Sequence, residues 1–125
     1  MNAPVLPVKT TDAAALLKAM GNERRLCVLL HLAEGEKAVG ELETLVGLSQ
    51  SALSQHLALL RLEGMVQTRR QAQTIFYSLR GEAVTAVLSL LARIYPVDAD
   101  PMADDGHAAP APIRRPAAAA GMGRP

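Results

Sequence analysis

Helical periodicity runs through the first half of this chain in pieces, each stopped by glycine, and after Gly64 it gives way to a different pattern. The stops are Gly21, Glu34-Gly35, Gly47 and Gly64. Glycine terminates helices readily because it adopts the left-handed backbone at little steric cost. Beyond Gly64, Met65–Arg70 and Thr74–Leu79 are rich in β-branched and aromatic residues, which suit a half-buried pleated surface. The pattern predicts a mainly α domain that carries a two-stranded β-hairpin, in the order α-α-α-α-β-β-α.

The individual pieces are readable. Thr11 or Asp12 can cap a first helix with Ala13, Leu16, Leu17 and Met20 on one face. Asn22 caps a second helix, which reaches about Ala33. It is apolar nearly all round (Leu26, Cys27, Val28, Leu29, Leu30, Leu32), so it belongs at the domain centre. A short third helix covers Val39–Val46 with Leu42, Leu45 and Val46 inward. Ser49 caps a fourth, from Gln50 to about Glu63, with Leu53, Leu57 and Leu60 on one stripe and Gln50, Ser51, Ser54, Gln55, Ala58 and Arg61 away from it. Gln71-Ala72-Gln73 reads as the hairpin turn on composition alone, since it lacks Asn-Gly. A last helix, Glu82 to Tyr95, gathers Val84, Val87, Leu88, Leu91, Ile94 and Tyr95 on a wide apolar stripe and stops at Pro96.

The chain has 125 residues, room for one ordinary domain. Residues 96–125 hold six of its eight prolines and nine alanines but no Leu, Phe or Tyr. Such a segment lacks the large side chains that offset the entropy of ordering, so we expect a disordered tail. Residues 1–10, with Pro4 and Pro7, are expected to be a disordered arm, leaving 11–95 as the folded domain. A single cysteine excludes an intrachain disulfide framework. No run approaches the roughly 18 apolar residues of a membrane span. Met1–Thr11 lacks an apolar signal core, so the expected location is the cytoplasm.

Helix, short helix, glycine turn, polar-faced helix and hairpin together describe a winged helix-turn-helix, whose second helix enters the major groove of DNA. The fourth helix suits that role. Gln50 and Gln55 can pair with adenine edges, and Ser51 and Ser54 with bases or phosphates. No acid occurs between Glu43 and Glu63. The net charge is only +1, so attraction to a polyanion has to come from clustering. From Ser49 to Arg80 four cations (Arg61, Arg69, Arg70, Arg80) face one anion (Glu63). From Ala33 to Val46 four anions (Glu34, Glu36, Glu41, Glu43) face one cation (Lys37). Only the first stretch can follow a phosphate backbone. Arg69 and Arg70 are expected at the wing tip, within reach of a phosphate or the minor groove. The spare apolar surface of the first and last helices (Leu16, Leu17, Met20 and the last-helix stripe) exceeds what one small domain covers. Burial against a second copy, at about 25 cal/mol per Å2, would stabilise a homodimer.

The runs Asn22-Glu23-Arg24-Arg25-Leu26, Val39-Gly40-Glu41-Leu42, Leu48–Leu57, Leu60-Arg61, Gly64-Met65-Val66 and Gln73–Leu79 resemble the ArsR/SmtB-type bacterial repressors, and within them the HlyU/BigR/SqrR branch. The resemblance covers about Ala13 to Tyr95. It implies a homodimeric repressor, associated with the bacterial nucleoid, whose first and last helices form the interface and which binds double-stranded DNA at an imperfect inverted repeat in a promoter. By position it implies DNA contacts from Ser49, Gln50, Ser51, Ser54, Gln55 and His56, with Arg61 alongside and wing contacts from Arg69, Arg70, Gln71 and Gln73. His56 has a second reading, packing at the back of the helix beside Leu57.

The family's sensing residues are not matched. Its Cys-x-Cys metal positions fall on Ala38 and Gly40, its last-helix metal set has no His here, and the paired cysteines of the sulfur-sensing branch fall on Leu30 and Pro96. What remains is Cys27, with Glu23 and His31 one turn away on either side. It can be a small core residue, a redox-sensing thiol whose pKa a nearby imidazolium lowers, or, with His31 from two subunits, part of a soft-metal site. The expectation is no metal and no resident cofactor; a small-molecule or redox inducer stays open. Asp104-Asp105-Gly106-His107, without a fold to hold it, would bind metal weakly. A winged helix can also serve as a protein-interaction module without specific DNA binding. An enzyme is disfavoured, because the sequence offers no Gly-rich phosphate loop and no triad spacing.

Overall fold

The computed structural model describes residues 5–98. The expected tail lies almost wholly outside them, as does Asp104–His107. The described residues form two units, one up to Thr85 and one from Ala86 on. The first holds helices α1 (Thr10–Met20), α2 (Glu23–Leu32), α3 (Val39–Val46) and α4 (Gln50–Leu62), and strands β1 (Lys37–Ala38), β2 (Val66–Gln71) and β3 (Thr74–Leu79). Helix α5 (Glu82–Ile94) contains the boundary. Among the described residues no helix is long and apolar enough to cross a membrane.

The element order is the expected one, with a small strand added. β1 pairs antiparallel with β3 (Lys37 opposite Tyr77, Ala38 opposite Phe76), so the hairpin becomes a three-stranded sheet in the order β1-β3-β2. Two residues carry no periodicity, which is why the strand is silent in the sequence. The hairpin is tighter than expected. Gln71 pairs with Thr74, leaving only Ala72 and Gln73 in the turn, and Ala72 takes φ 56° where glycine is usual.

α2 lies at the centre, against α1, α3, α4 and β3. Its Val28, Leu29 and Leu32 are buried, but Leu30 stays 44% exposed, so the apolar girdle is not fully covered. Leu42 and Val46 point inward from α3 as expected. Leu45 does not; it is 46% exposed, because on so short a helix the inward stripe is narrow. Leu53, Leu57 and Leu60 anchor α4, and Met65 and Val66 continue the core into β2.

Local chemistry sets each junction. The Asn22 side chain accepts the Arg25 N–H at 3.0 Å and starts α2. At the start of α3, Ala38 has no side-chain oxygen to offer, but Glu41 reaches back to accept the Ala38 N–H at 3.0 Å. The turn into α4 is made by Gly47 at φ 73°, its N–H and that of Leu48 both donating to Glu43 O at 2.9 and 3.3 Å. Ser49 Oγ then accepts the Ala52 N–H at 3.2 Å as the N-cap of α4. Two arginines on α2 lock the assembly. Arg24 donates to Val46 O at 3.0 Å, just before that turn, and Arg25 donates to Ala19 O at 2.6 Å and Lys18 O at 3.4 Å at the end of α1.

A Cβ at position 47 would meet nothing within 4 Å, so its cost is purely that of the left-handed backbone. Gly47→Ala is expected to lower stability by about 1 kcal/mol, measured by urea unfolding, with Gly47→Asn closer to wild type.

Candidate nucleic-acid interface

With Leu53, Leu57 and Leu60 buried, the helical repeat turns Gln50, Ser51, Ser54, Gln55, Ala58 and Arg61 out to solvent, and all six are exposed. Ser49, itself exposed, leaves the backbone N–H groups of the first turn at the same end. This is the surface a major groove needs: small and amide side chains, no carboxylate, and the positive end of a helix dipole. The Arg61 side chain has no hydrogen bond or ion pair among the described residues.

His56 is not part of that face. It is half-buried and close enough to Arg24 and Arg25 for their charges to matter; burial first, then Arg25 and Arg24, push its pKa below the ordinary value. It lies toward the α2 side of the helix.

Strand alternation splits the wing residues that the sequence grouped together. Opposed residues share a face, so Arg69 with Phe76 and Gln71 with Thr74 lie on one side, and Thr68 with Tyr77 and Arg70 with Ile75 on the other. The second side is the one that meets α4, since Tyr77 and α4 line a common notch. Arg69 is fully engaged. It forms a bidentate pair with Glu36 (Nε to Oε2 2.7 Å, Nη2 to Oε1 2.8 Å), donates to Gln71 Oε1 at 2.9 Å and stacks over Phe76 at 4.5 Å. Each partner favours the other's charged form, Glu36 titrating below its ordinary value and Arg69 above. Arg70 and Gln73 are exposed, and the Arg70 side chain has no hydrogen bond or ion pair among the described residues. Arg70 sits beside the tip as expected. Arg69 is one pair further back and is already neutralised.

In the sequence Glu36 is one charge of an acidic stretch, and Arg24 and Arg25 show no role. Glu36 and Arg24 depend on residues 33 and 22 positions away, Arg69 and Val46, which no local pattern announces, and Arg25 reaches back to Ala19 and Lys18 across the α1–α2 junction. Tyr77 was read only as a strand residue.

Of the expected dimer residues, Met20, Val84 and Leu88 are at most 4% exposed in the single chain, so a partner would add little burial to them. Leu16, Val87, Leu91 and Ile94 are half-buried, and Leu17 (58%) and Tyr95 (40%) are exposed. Leu90, at 45%, was not expected. Cys27 is half-buried, and burial pushes its thiol above the ordinary value. Arg24 pulls it down by less, and Glu23 adds a further rise; the anticipated activation by His31 is not among the causes. On balance the thiol form is favoured over the thiolate. Among the described residues no three His, Cys, Asp or Glu side chains gather to hold a metal.

Comparison with known proteins is consistent with this geometry. The sequence profile of the arsR family of bacterial regulatory proteins matches residues 22–68. The transcriptional activator HlyU of Vibrio cholerae is 52% identical over 95 residues, 76% of this chain and 88% of HlyU. The solved structure of reduced HlyU from that organism has a TM-score of 0.67 at 54% identity, covering 70% of this chain and 92% of that one. The transcriptional repressor BigR from Xylella fastidiosa has a TM-score of 0.69 at 38% identity, over 72% of this chain and 92% of BigR. The homodimeric winged helix-turn-helix DNA-binding domain of Mb0332 from Mycobacterium bovis has a TM-score of 0.61 at 34% identity, over 66% of this chain and 76% of that one.

The split of the wing separates two arginines that look alike in the sequence. Arg70→Ala is expected to reduce the slope of log K against log salt by about 0.9 for each copy bound, the loss of one phosphate contact. Arg69→Ala is expected to weaken binding while leaving that slope unchanged, since Glu36 already compensates its charge. Fluorescence anisotropy over a salt series reads both.

Proposed function

Because this chain belongs to the arsR family of bacterial regulatory proteins, a family of winged helix-turn-helix transcriptional regulators, we propose that it works as a homodimer on an inverted-repeat operator and represses transcription by occupying promoter DNA. The observation that carries this reading is the segregation on α4: three leucines buried on one side, Gln50, Ser51, Ser54 and Gln55 exposed on the other. In this reading each copy sets that face into a major groove, with Gln50 and Gln55 reading base edges and the capped end of α4, with Ser51 and Ser54, facing phosphates. Arg70, Gln71 and Gln73 follow the flanking backbone from the wing. Two copies related by a two-fold axis double these contacts and match an operator of the same symmetry.

Pairing is proposed through the first and last helices, where Leu16, Leu17, Val87, Leu91, Ile94 and Tyr95 keep apolar surface in the single chain, with Leu90 added. The proposed folded domain is 11–95. Related regulators include an activator and a repressor, HlyU and BigR. Repression is preferred here because a dimer seated on a promoter excludes polymerase with no further contact needed.

Gln55→Ala is expected to lower discrimination between the best duplex selected from a random library and its single-base variants by about 1–3 kcal/mol, with non-specific binding unchanged. Competition binding measures it. Equal affinity of wild type for all duplexes would contradict sequence reading, and no affinity for any would leave the protein-interaction module as the better account.

A further inference from the structure

We infer that the open notch between α4 and β3 is the seat of one DNA backbone phosphate, held by Arg61, Tyr77 and Ser54, which makes Tyr77 a DNA-contacting residue; the inference rests on the DNA-binding reading above. The notch, of about 420 Å3, is lined by Ser54, Ala58, Arg61, Leu62 and Tyr77. Three of these five residues bring donors to one place: a guanidinium and two hydroxyls. None of the three side chains has a hydrogen bond or ion pair among the described residues, so the donors are presented rather than used. No carboxylate lines the notch.

The surroundings select the ligand. Ser54 and Arg61 belong to the exposed face of α4, and Tyr77 to the wing face that meets α4. A strand bordering a major groove filled by α4 has to pass between that helix and the wing, and the notch lies there. Ala58 keeps its floor shallow. Leu62, 80% exposed, supplies an apolar wall of the kind a deoxyribose can lie against. A guanidinium with two neutral donors is the usual chemistry for a singly charged phosphodiester, where the cation gives attraction and the hydroxyls fix position.

The full-length chain is titrated onto the best duplex from a random library, and onto a set of duplexes each with one phosphodiester replaced by an uncharged methylphosphonate. Wild type is expected to lose affinity at one particular phosphate in each half-site. Tyr77→Phe is expected to weaken binding to the unmodified duplex about 3- to 10-fold, the worth of one hydrogen bond, with the salt slope unchanged. Arg61→Ala is expected to reduce that slope by about 0.9 for each copy bound, and Arg61→Lys to restore it. Neither Tyr77→Phe nor Arg61→Ala is expected to lose further affinity on the duplex lacking that phosphate. Wild-type affinity in Tyr77→Phe, or an undiminished loss on that duplex in either variant, overturns the notch while the DNA-binding reading stands. A Tyr77→Phe defect equal on every modified duplex also overturns it, because the anion held there would not be the DNA's. If wild type binds no duplex at all, the DNA-binding reading itself fails and takes the notch with it.

Discussion

Burial of Leu53, Leu57 and Leu60 along one side of a 13-residue helix is the constraint on which the rest depends. It leaves α4 only one way to sit, and that orientation places every glutamine and serine of its first two turns outside. The start of the helix is fixed as firmly as its rotation. Gly47 turns the chain, Ser49 caps the new helix, and Arg24 ties the last residue of α3 back to α2. A polar face without this anchoring would be ordinary solvated surface. With it, the face is presented at a set angle to the wing, which is what reading a groove requires.

Charge is arranged with the same economy. The acidic stretch that precedes α4 is not merely kept away from the binding surface, because one of its members, Glu36, reaches the wing and holds Arg69 from the outer side of the sheet. Stacking on Phe76 and the bond to Gln71 complete a brace that stiffens the hairpin at the expense of one free cation. Arg70, one residue on, points to the other face because strand side chains alternate. Adjacent arginines thus differ, one held in a brace and one left exposed.

Much of this was legible in the sequence. The glycine stops, the caps at Asn22 and Ser49 and the change of period after Gly64 gave the element order and the exposed face of α4, because these are local signals. What stayed hidden was non-local or conformationally unusual. β1 is two residues long and exists only through β3. The turn uses Ala72 in a left-handed conformation rather than the expected glycine, so its tight register could not be anticipated. Leu45 is exposed because it lies at the edge of the narrow inward stripe that Leu42 and Val46 fill on α3. His56 has two readings one helical face apart, and the sequence does not show its closeness to Arg24 and Arg25. The partition of the apolar residues on the outer helices into buried and exposed sets depends on packing that composition does not encode.

Cys27 marks where the chain departs from the sensing patterns of the family it belongs to. Burial holds its half-buried thiol above the ordinary value, away from the character of an activated thiolate. The function then rests on the DNA-facing surface. Amide hydrogen exchange with and without a tightly bound duplex tests that surface most directly. Protection is expected to concentrate in the first two turns of α4 and at the wing tip around Arg70–Thr74, with Glu34–Glu43 unchanged. Protection of the acidic stretch instead, or no change along α4, would contradict the placement of the DNA.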